Sequence, residues 1–332
     1  MRRRDFIAGF GSAAAWPVVG RAQQDERVRR VAVLQGDIGT ENEPAYRTNL
    51  TAFREEMAKL GWIEGRNLRL DHRAGAGDLD RMRSVAAELV GLEPHVIVTR
   101  NVAATRALLQ QTQSIPVIFA GVGGDPVATG LVGSIARPDR NATGFTNSYY
   151  SMGGKWLELL KEAAPQMTKV AIIFAETNRF RHGDGYASSI EAAAQVLGLK
   201  LIRIPVSDAL TLVRAIDALV DERNLGLLWV AGPTPFEREL LIRLADQYRL
   251  PSIYDDRSWV TAGGFMSYGA DTPALYRGAA SYVDRVLRGA KVSELPVQYP
   301  TKFELVINLK TMKQSGFSIP PSFLVRADEV IE

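Results

Sequence analysis

Apolar and polar positions alternate along this chain with two periods that take turns. "RVRRVAVLQ" (27–35) is a short apolar run of strand type. "PAYRTNLTAFREEMAKLGW" (44–62) places apolar residues at helical spacing and ends at Gly61. "NLRLDHR" (67–73) alternates as a strand, and "DLDRMRSVAAELVG" (78–91) reads as a helix with Asp78 as N-cap. "HVIVTR" (95–100), "NVAATRALLQQT" (101–112) and "IPVIFAG" (115–121) continue as strand, helix and strand. The pattern then restarts: strands over 168–176, 200–206, 225–232 and 250–256, with helices over 185–199, 208–223 and 235–248 between them. Strict alternation of this kind predicts parallel sheets with helices on both faces, here as two similar α/β lobes. The remainder contains an amphipathic helix over 273–290 and an extended stretch over 295–308, too short for a third domain. It is expected to cross between the lobes and form a hinge.

The N-terminus breaks the pattern. "MRRRDFIAGFGSAAAWPVVGRAQQ" has arginines, an apolar run from Phe6 to Gly20 and then small residues, the three-part layout of an export signal. The run is short for a membrane-spanning helix. Arg3-Arg4-Asp5-Phe6-Ile7 fits the twin-arginine pattern, and cleavage after Ala22 is expected. This segment also explains the charge. Residues 1–22 hold four arginines and one aspartate, which accounts for the whole net charge of +3. The remaining chain is neutral, so the basic pI is no argument for nucleic-acid binding. The absence of cysteine rules out disulfides, thiolate metal sites, cysteine nucleophiles and a lipoprotein anchor.

In open α/β sheets, ligands bind beyond the carboxyl ends of the strands. That rule selects six loops. In the first lobe they carry Gln35 and Asp37, then Thr99, Arg100 and Asn101, then Asp125. In the second they carry Glu176, Thr177 and Asn178, then Gly232 and Thr234, then Asp255 and Asp256. The loop "GVGGDP" (121–126) looks like a phosphate trap, but Pro126 replaces the third glycine of the dinucleotide fingerprint and Asp125 repels phosphate. A tight turn is expected instead, with Asp125 capping a following helix and Pro126 at its first position. No H-E-x-x-H or G-x-S-x-G occurs, and the three histidines are scattered. His95 reads as structural. Asp255-Asp256 reads as a helix cap or a ligand contact, since sequence neighbours point different ways. An exported, two-lobed chain without a catalytic constellation points to a binding protein that uses no cofactor and no metal.

"GDPVATGLVGSIARPDRNATGFT" (124–146), "GGFMSYGAD" (263–271) and "LPVQYPTKFELVINLKTMKQSGFSIPPSFLVRADEVIE" (295–332) are long, ordered motifs. By them the chain resembles the periplasmic substrate-binding proteins of ABC importers, of the tryptophan/tyrosine type, from about residue 28 to the end. The resemblance implies two Rossmann-like lobes of the type I periplasmic-binding-protein architecture joined by three crossing strands. These are expected near 145–147, 266–269 and 298–302. Lobe one is then 28–146 plus 268–298, and lobe two 147–267 plus 299–332. It also implies a non-enzymatic, monomeric periplasmic receptor that delivers a small molecule to membrane permease subunits and meets the membrane only through them. A sensor module for a membrane partner is the alternative reading, and an enzyme on a similar fold a third.

The resemblance aligns ligand contacts with 99–103, 176–178, 232–234 and 254–256, and Asn147 follows the first crossing. Amino-acid binders similar to this family carry Asp-Asn where this chain has Gly232-Pro233-Thr234. Arg100 stands in a loop that is small and polar in those relatives. Both departures point to an aromatic or other carboxylate, or an amino-acid-like solute, clamped by Arg100. At an exposed cleft rim Arg100 contributes little to folding. Tyr149 or Tyr150 either stacks on a flat ligand or packs the hinge. If Arg3 and Arg4 direct export, changing both to lysine leaves uncleaved precursor in the cytoplasm. Cell fractionation checks this, and normal periplasmic accumulation refutes the twin-arginine route.

Overall fold

The computed structural model describes residues 28–36, 40–176, 185–219, 221–230 and 238–332. The export segment, Asp37, Thr177, Asn178, His182, Gly232 and Thr234 lie outside the described residues.

The first sheet follows the predicted order through its fourth strand, and a fifth adds an edge strand that the alternation did not include. β1 (Arg29–Gln35), α1 (Pro44–Lys59), β2 (Leu68–Ala74), α2 (Leu79–Gly91), β3 (Val96–Arg100), α3 (Val102–Gln111), β4 (Val117–Val122) and β5 (Ala142–Thr146) follow one another. The strands are parallel in the order β2-β1-β3-β4-β5. Strands β3 and β4 are buried throughout, as a sheet covered on both faces requires. One face packs Phe53 and Met57 of α1 against the sheet. The other packs Met82 and Leu89 of α2 with Leu108 of α3. The cap read at Asp78 is in place: its side chain accepts from the Arg81 N–H at 2.6 Å.

The second sheet repeats the order. α4 (Met152–Ala163), β6 (Lys169–Ala175), α5 (Gly185–Leu197), β7 (Lys200–Val206), α6 (Ala209–Asp217), β8 (Leu225–Trp229), α7 (Arg238–Gln247), β9 (Ser252–Tyr254), α8 (Arg257–Thr261) and β10 (Met266–Ala270) lead to α9 (Thr272–Leu287). The chain returns through β11 (Phe303–Asn308), α10 (Leu309–Gln314), α11 (Pro321–Leu324) and β12 (Glu329–Ile331). The sheet order is β12-β11-β10-β9-β8-β6-β7, with β10 and β11 antiparallel. Trp156 of α4 and Trp229 of β8 are core residues, as their settings in sequence imply.

Two expectations are corrected. No helix follows Asp125. Residues 126–130 make a single turn, closed by the Thr129 N–H to the Asp125 carbonyl, and Gly130 at φ +74° ends it. Tyr268–Ala270, expected in the first lobe, belong to β10 and pair with Phe303–Leu305 inside the second sheet. The second crossing therefore falls at Asp271. Helix α9 then packs on the first sheet through Tyr276, Ala279 and Val283.

Three crossings join the sheets: after Thr146, at Asp271, and over 298–302. The first and third are tied by a parallel bridge, with the Thr146 N–H bonding the Gln298 carbonyl and the Gln298 N–H bonding the Gly144 carbonyl, each at 2.8 Å. Gly144 sits at φ +150°, and a Cβ there lies 2.0 Å from the Phe119 carbonyl oxygen. The obstacle is backbone, so no rotamer change relieves it. Gly144→Ala is expected to cost about 2–5 kcal/mol through overpacking and backbone strain, read as a lower urea midpoint.

Candidate functional site

In a sheet of order 2-1-3-4-5 the strand order reverses between β1 and β3, and the crevice for a ligand lies beyond their carboxyl ends. Arg100 and Asn101 stand at that point in the first sheet. The equivalent point in the second lies between β6 and β8.

Arg100 ends β3 and is 8% exposed, so it is no rim residue. Its stem runs past Gly121, where an added Cβ lies 3.8 Å from Arg100 Cγ. Its guanidinium reaches Asp256 Oδ2 at 3.4 Å. Asp256 comes from the loop after β9, so this ion pair bridges the two sheets. Asp256 is held from three sides: Oδ1 accepts from the Ser258 N–H at 2.8 Å as the N-cap of α8, and Oδ2 meets Thr272 Oγ1 at 3.5 Å as well as Arg100. Burial pushes the Asp256 carboxyl up, but the Arg100 charge and the Ser258 hydrogen bonds outweigh it and hold the group below the usual carboxylate range. A second cross-sheet pair, Glu43 with Arg238, spans 3.9 Å.

Asn101 turns the chain into α3. Its Oδ1 accepts from the Ala104 N–H at 2.8 Å. Its backbone, φ 69° and ψ 163°, lies in a region almost confined to glycine, a strain of order 1–3 kcal/mol. The turn starts α3 just beyond the carboxyl end of β3, where the helix dipole favours an anion.

The structure buries two candidates. Gln35 is wholly buried, its amide donating to the Tyr46 carbonyl and accepting from Asn49 Nδ2. Thr99 is wholly buried in β3, and strand alternation turns it to the face opposite Arg100. Both are closed to solvent. Asn147 is half-buried on the first crossing and accepts from Ser148 Oγ at 3.1 Å. Asp125 and Asp255 are half-buried at the ends of β4 and β9, and Glu176 is exposed at the end of β6. Sequence reasoning did not single out Tyr186 of α5, which lies close to Ser148 and feels the Asp255 charge; burial raises its phenol pKa. Its helix start beyond a candidate loop was the available signal. His95 Nδ1 accepts from the Arg30 N–H, a structural role. Among the described residues no group of histidines and acids is arranged for a metal.

Two doubly wound lobes with a charged crevice between them, joined by three crossing strands, define a class: solute-binding proteins of the periplasmic type. Residues 40–331 match the ABC transporter substrate binding protein family, and the chain belongs to it. A tyrosine-binding protein of Clostridioides difficile (strain R20291) is 26% identical over 263 residues, covering 79% of this chain and 74% of that protein. A solved conserved domain protein from Vibrio cholerae superposes with a TM-score of 0.77 at 26% identity, over 92% of this chain and 100% of that one. An ABC domain from Streptococcus pneumonia in complex with L-Trp shares the fold at a TM-score of 0.77 and 20% identity, again over 92% and 100%. Members of this family are extracytoplasmic proteins that bind a small molecule and work with ABC transporter permeases.

The buried Arg100 corrects the expectation that it matters little for folding. Asp256 has a lower pKa folded than unfolded. The pair therefore adds stability above the ordinary carboxylate range and loses it as pH falls through the lowered folded value. Arg100→Ala is expected to lower ligand-free stability by about 1–3 kcal/mol at neutral pH. The gap from the unmodified protein is expected to close as acid protonates Asp256. Urea unfolding across pH checks both.

Proposed function

We propose that this chain is the receptor of an ABC importer, not an enzyme, and that it captures an aromatic carboxylate or amino-acid-like solute between its lobes. The segment 1–22 directs export to the periplasm and is removed near Ala22, and the mature receptor works as a monomer. The lobes are 28–146 with 272–298, and 147–270 with 299–332. The observation that carries this reading is Arg100: a cation at the first sheet's switch point, already in contact with the opposite lobe through Asp256.

Arg100 takes the solute's carboxylate, and the N–H groups of residues 101–103 at the start of α3 add donors. Asp256 holds the guanidinium in place, and Asp255 stands nearby for an amine if the solute carries one. A solute touching both lobes stabilises the closed arrangement through contacts that exist only there. The neighbours named for tyrosine and L-Trp support an aromatic solute. The Gly232-Pro233-Thr234 sequence favours the carboxylate as the group that selects it.

The test is calorimetry with L-tyrosine, L-tryptophan, their deaminated acids and the matching aromatic alcohols. At least one carboxylate binds and is recovered chemically intact, while the alcohols do not bind. Small-angle scattering shows compaction at saturation. Arg100→Ala weakens binding by roughly 10- to 150-fold, the effect of one charge-assisted contact, and Arg100→Lys restores it only in part. Equal affinity in all three proteins removes Arg100 from the site, and turnover of the bound solute refutes the receptor reading.

A further inference from the structure

Beside the crossing strands lies a cavity of about 430 Å³, walled by Gly124, Asp125, Ser148, Tyr149, Tyr150 and Tyr299. It is a small-molecule volume. Its three tyrosines are 51%, 43% and 40% exposed, a cluster of large aromatic surface left open to solvent. The rings are held in orientation. Tyr149 and Tyr299 meet edge to face, 5.7 Å apart at 86°. Tyr150 meets Tyr186 edge to face at 5.4 Å, and Tyr186 in turn stacks on the buried Trp156 at 5.3 Å. Gly185 makes room for the Tyr150 ring, since a Cβ there lies 2.2 Å from it. Buttressed rings of this kind form a wall and not a loose surface.

The described lining carries one formal charge, and it is negative. Aromatic faces carry negative quadrupole density, and Asp125 is the one charged residue among the described residues that line the cavity. Asp125 is also fixed. Its Oδ1 accepts from the Val127 N–H at 2.7 Å and the Ala128 N–H at 3.4 Å, and these bonds leave the lone pairs of Oδ2 uncommitted. We propose that this cavity is a subsite for a small organic cation, an alkylammonium group. The cation lies against the tyrosine faces, where attraction strengthens as water leaves, and the Asp125 carboxylate balances its charge. Anions are repelled by the same carboxylate. Arg100 is not part of the lining, and the subsite stands whether or not Arg100 takes a carboxylate.

Choline and its neutral isostere 3,3-dimethylbutan-1-ol separate charge from shape. Calorimetry on the full chain at constant ionic strength is expected to show saturable choline binding and at least tenfold weaker binding of the alcohol, a preference of about 1.4 kcal/mol. Asp125→Asn is expected to weaken choline roughly tenfold while leaving the urea midpoint in place, because the amide oxygen still accepts the Val127 and Ala128 N–H groups. Tyr299→Leu is expected to weaken choline by a similar factor. No saturable binding up to roughly 10 mM choline, equal binding of the alcohol, or unchanged affinity in Asp125→Asn each overturns the proposal. Such a result leaves the carboxylate titrations untouched, so the two readings fail separately.

Discussion

A buried carboxylate at the second crossing holds this molecule's halves in relation. The Asp271 side chain is 5% exposed, caps α9 through the Ala274 N–H at 2.9 Å, and receives Lys302 from the third crossing at 2.9 Å. Its own N–H bonds the Lys302 carbonyl. Burial pushes the Asp271 carboxyl up, but Lys302, the capping N–H and Arg277 outweigh it and keep the group below its usual range. Isolated surface pairs contribute little. This pair differs because one partner is buried and the hydrogen bonds to it come from both α9 and the third crossing, which must stay side by side.

The charged crevice grows from the same spot. Thr272 follows Asp271 and opens α9 on the first sheet, and its hydroxyl meets Asp256 of the second. Asp256 then meets Arg100. A chain of contacts therefore runs from the hinge to the switch point of the first sheet. A change in the angle between the lobes alters Arg100–Asp256 before it alters either core, because each core is packed within one sheet. Proteins that close on a ligand need bistable contacts of this kind between rigid bodies.

Function is thus divided by place. The crevice has a cation backed by a carboxylate and a helix start, which favours anionic groups. The tyrosine cavity beside the hinge has the opposite character. Asn101 holds its strained backbone where β3 turns into α3, and Gly121 packs beside both Arg100 and Asn147.

The alternating periods gave β1 to β4 and β6 to β9 with the helices between them, because strand and helix periodicity follow from bonded geometry and from the need to bury one face. The helix cap at Asp78 was legible for the same local reason, and Asp256 turned out to be a cap where the sequence left a cap or a ligand contact open. The three long motifs carried the family. Tertiary structure alone decided the rest. Gln35, Thr99 and Arg100 all sit at carboxyl ends of strands, yet two are sequestered and one crosses the crevice. Which of them is which depends on strand alternation and on what packs above each position. Arg100 and Asp256 are 156 residues apart in sequence, and their meeting depends on how two separately folded sheets are set by three crossings. No local pattern encodes that angle, so the burial of Arg100, its pairing and the tyrosine wall became visible only when the lobes were placed together.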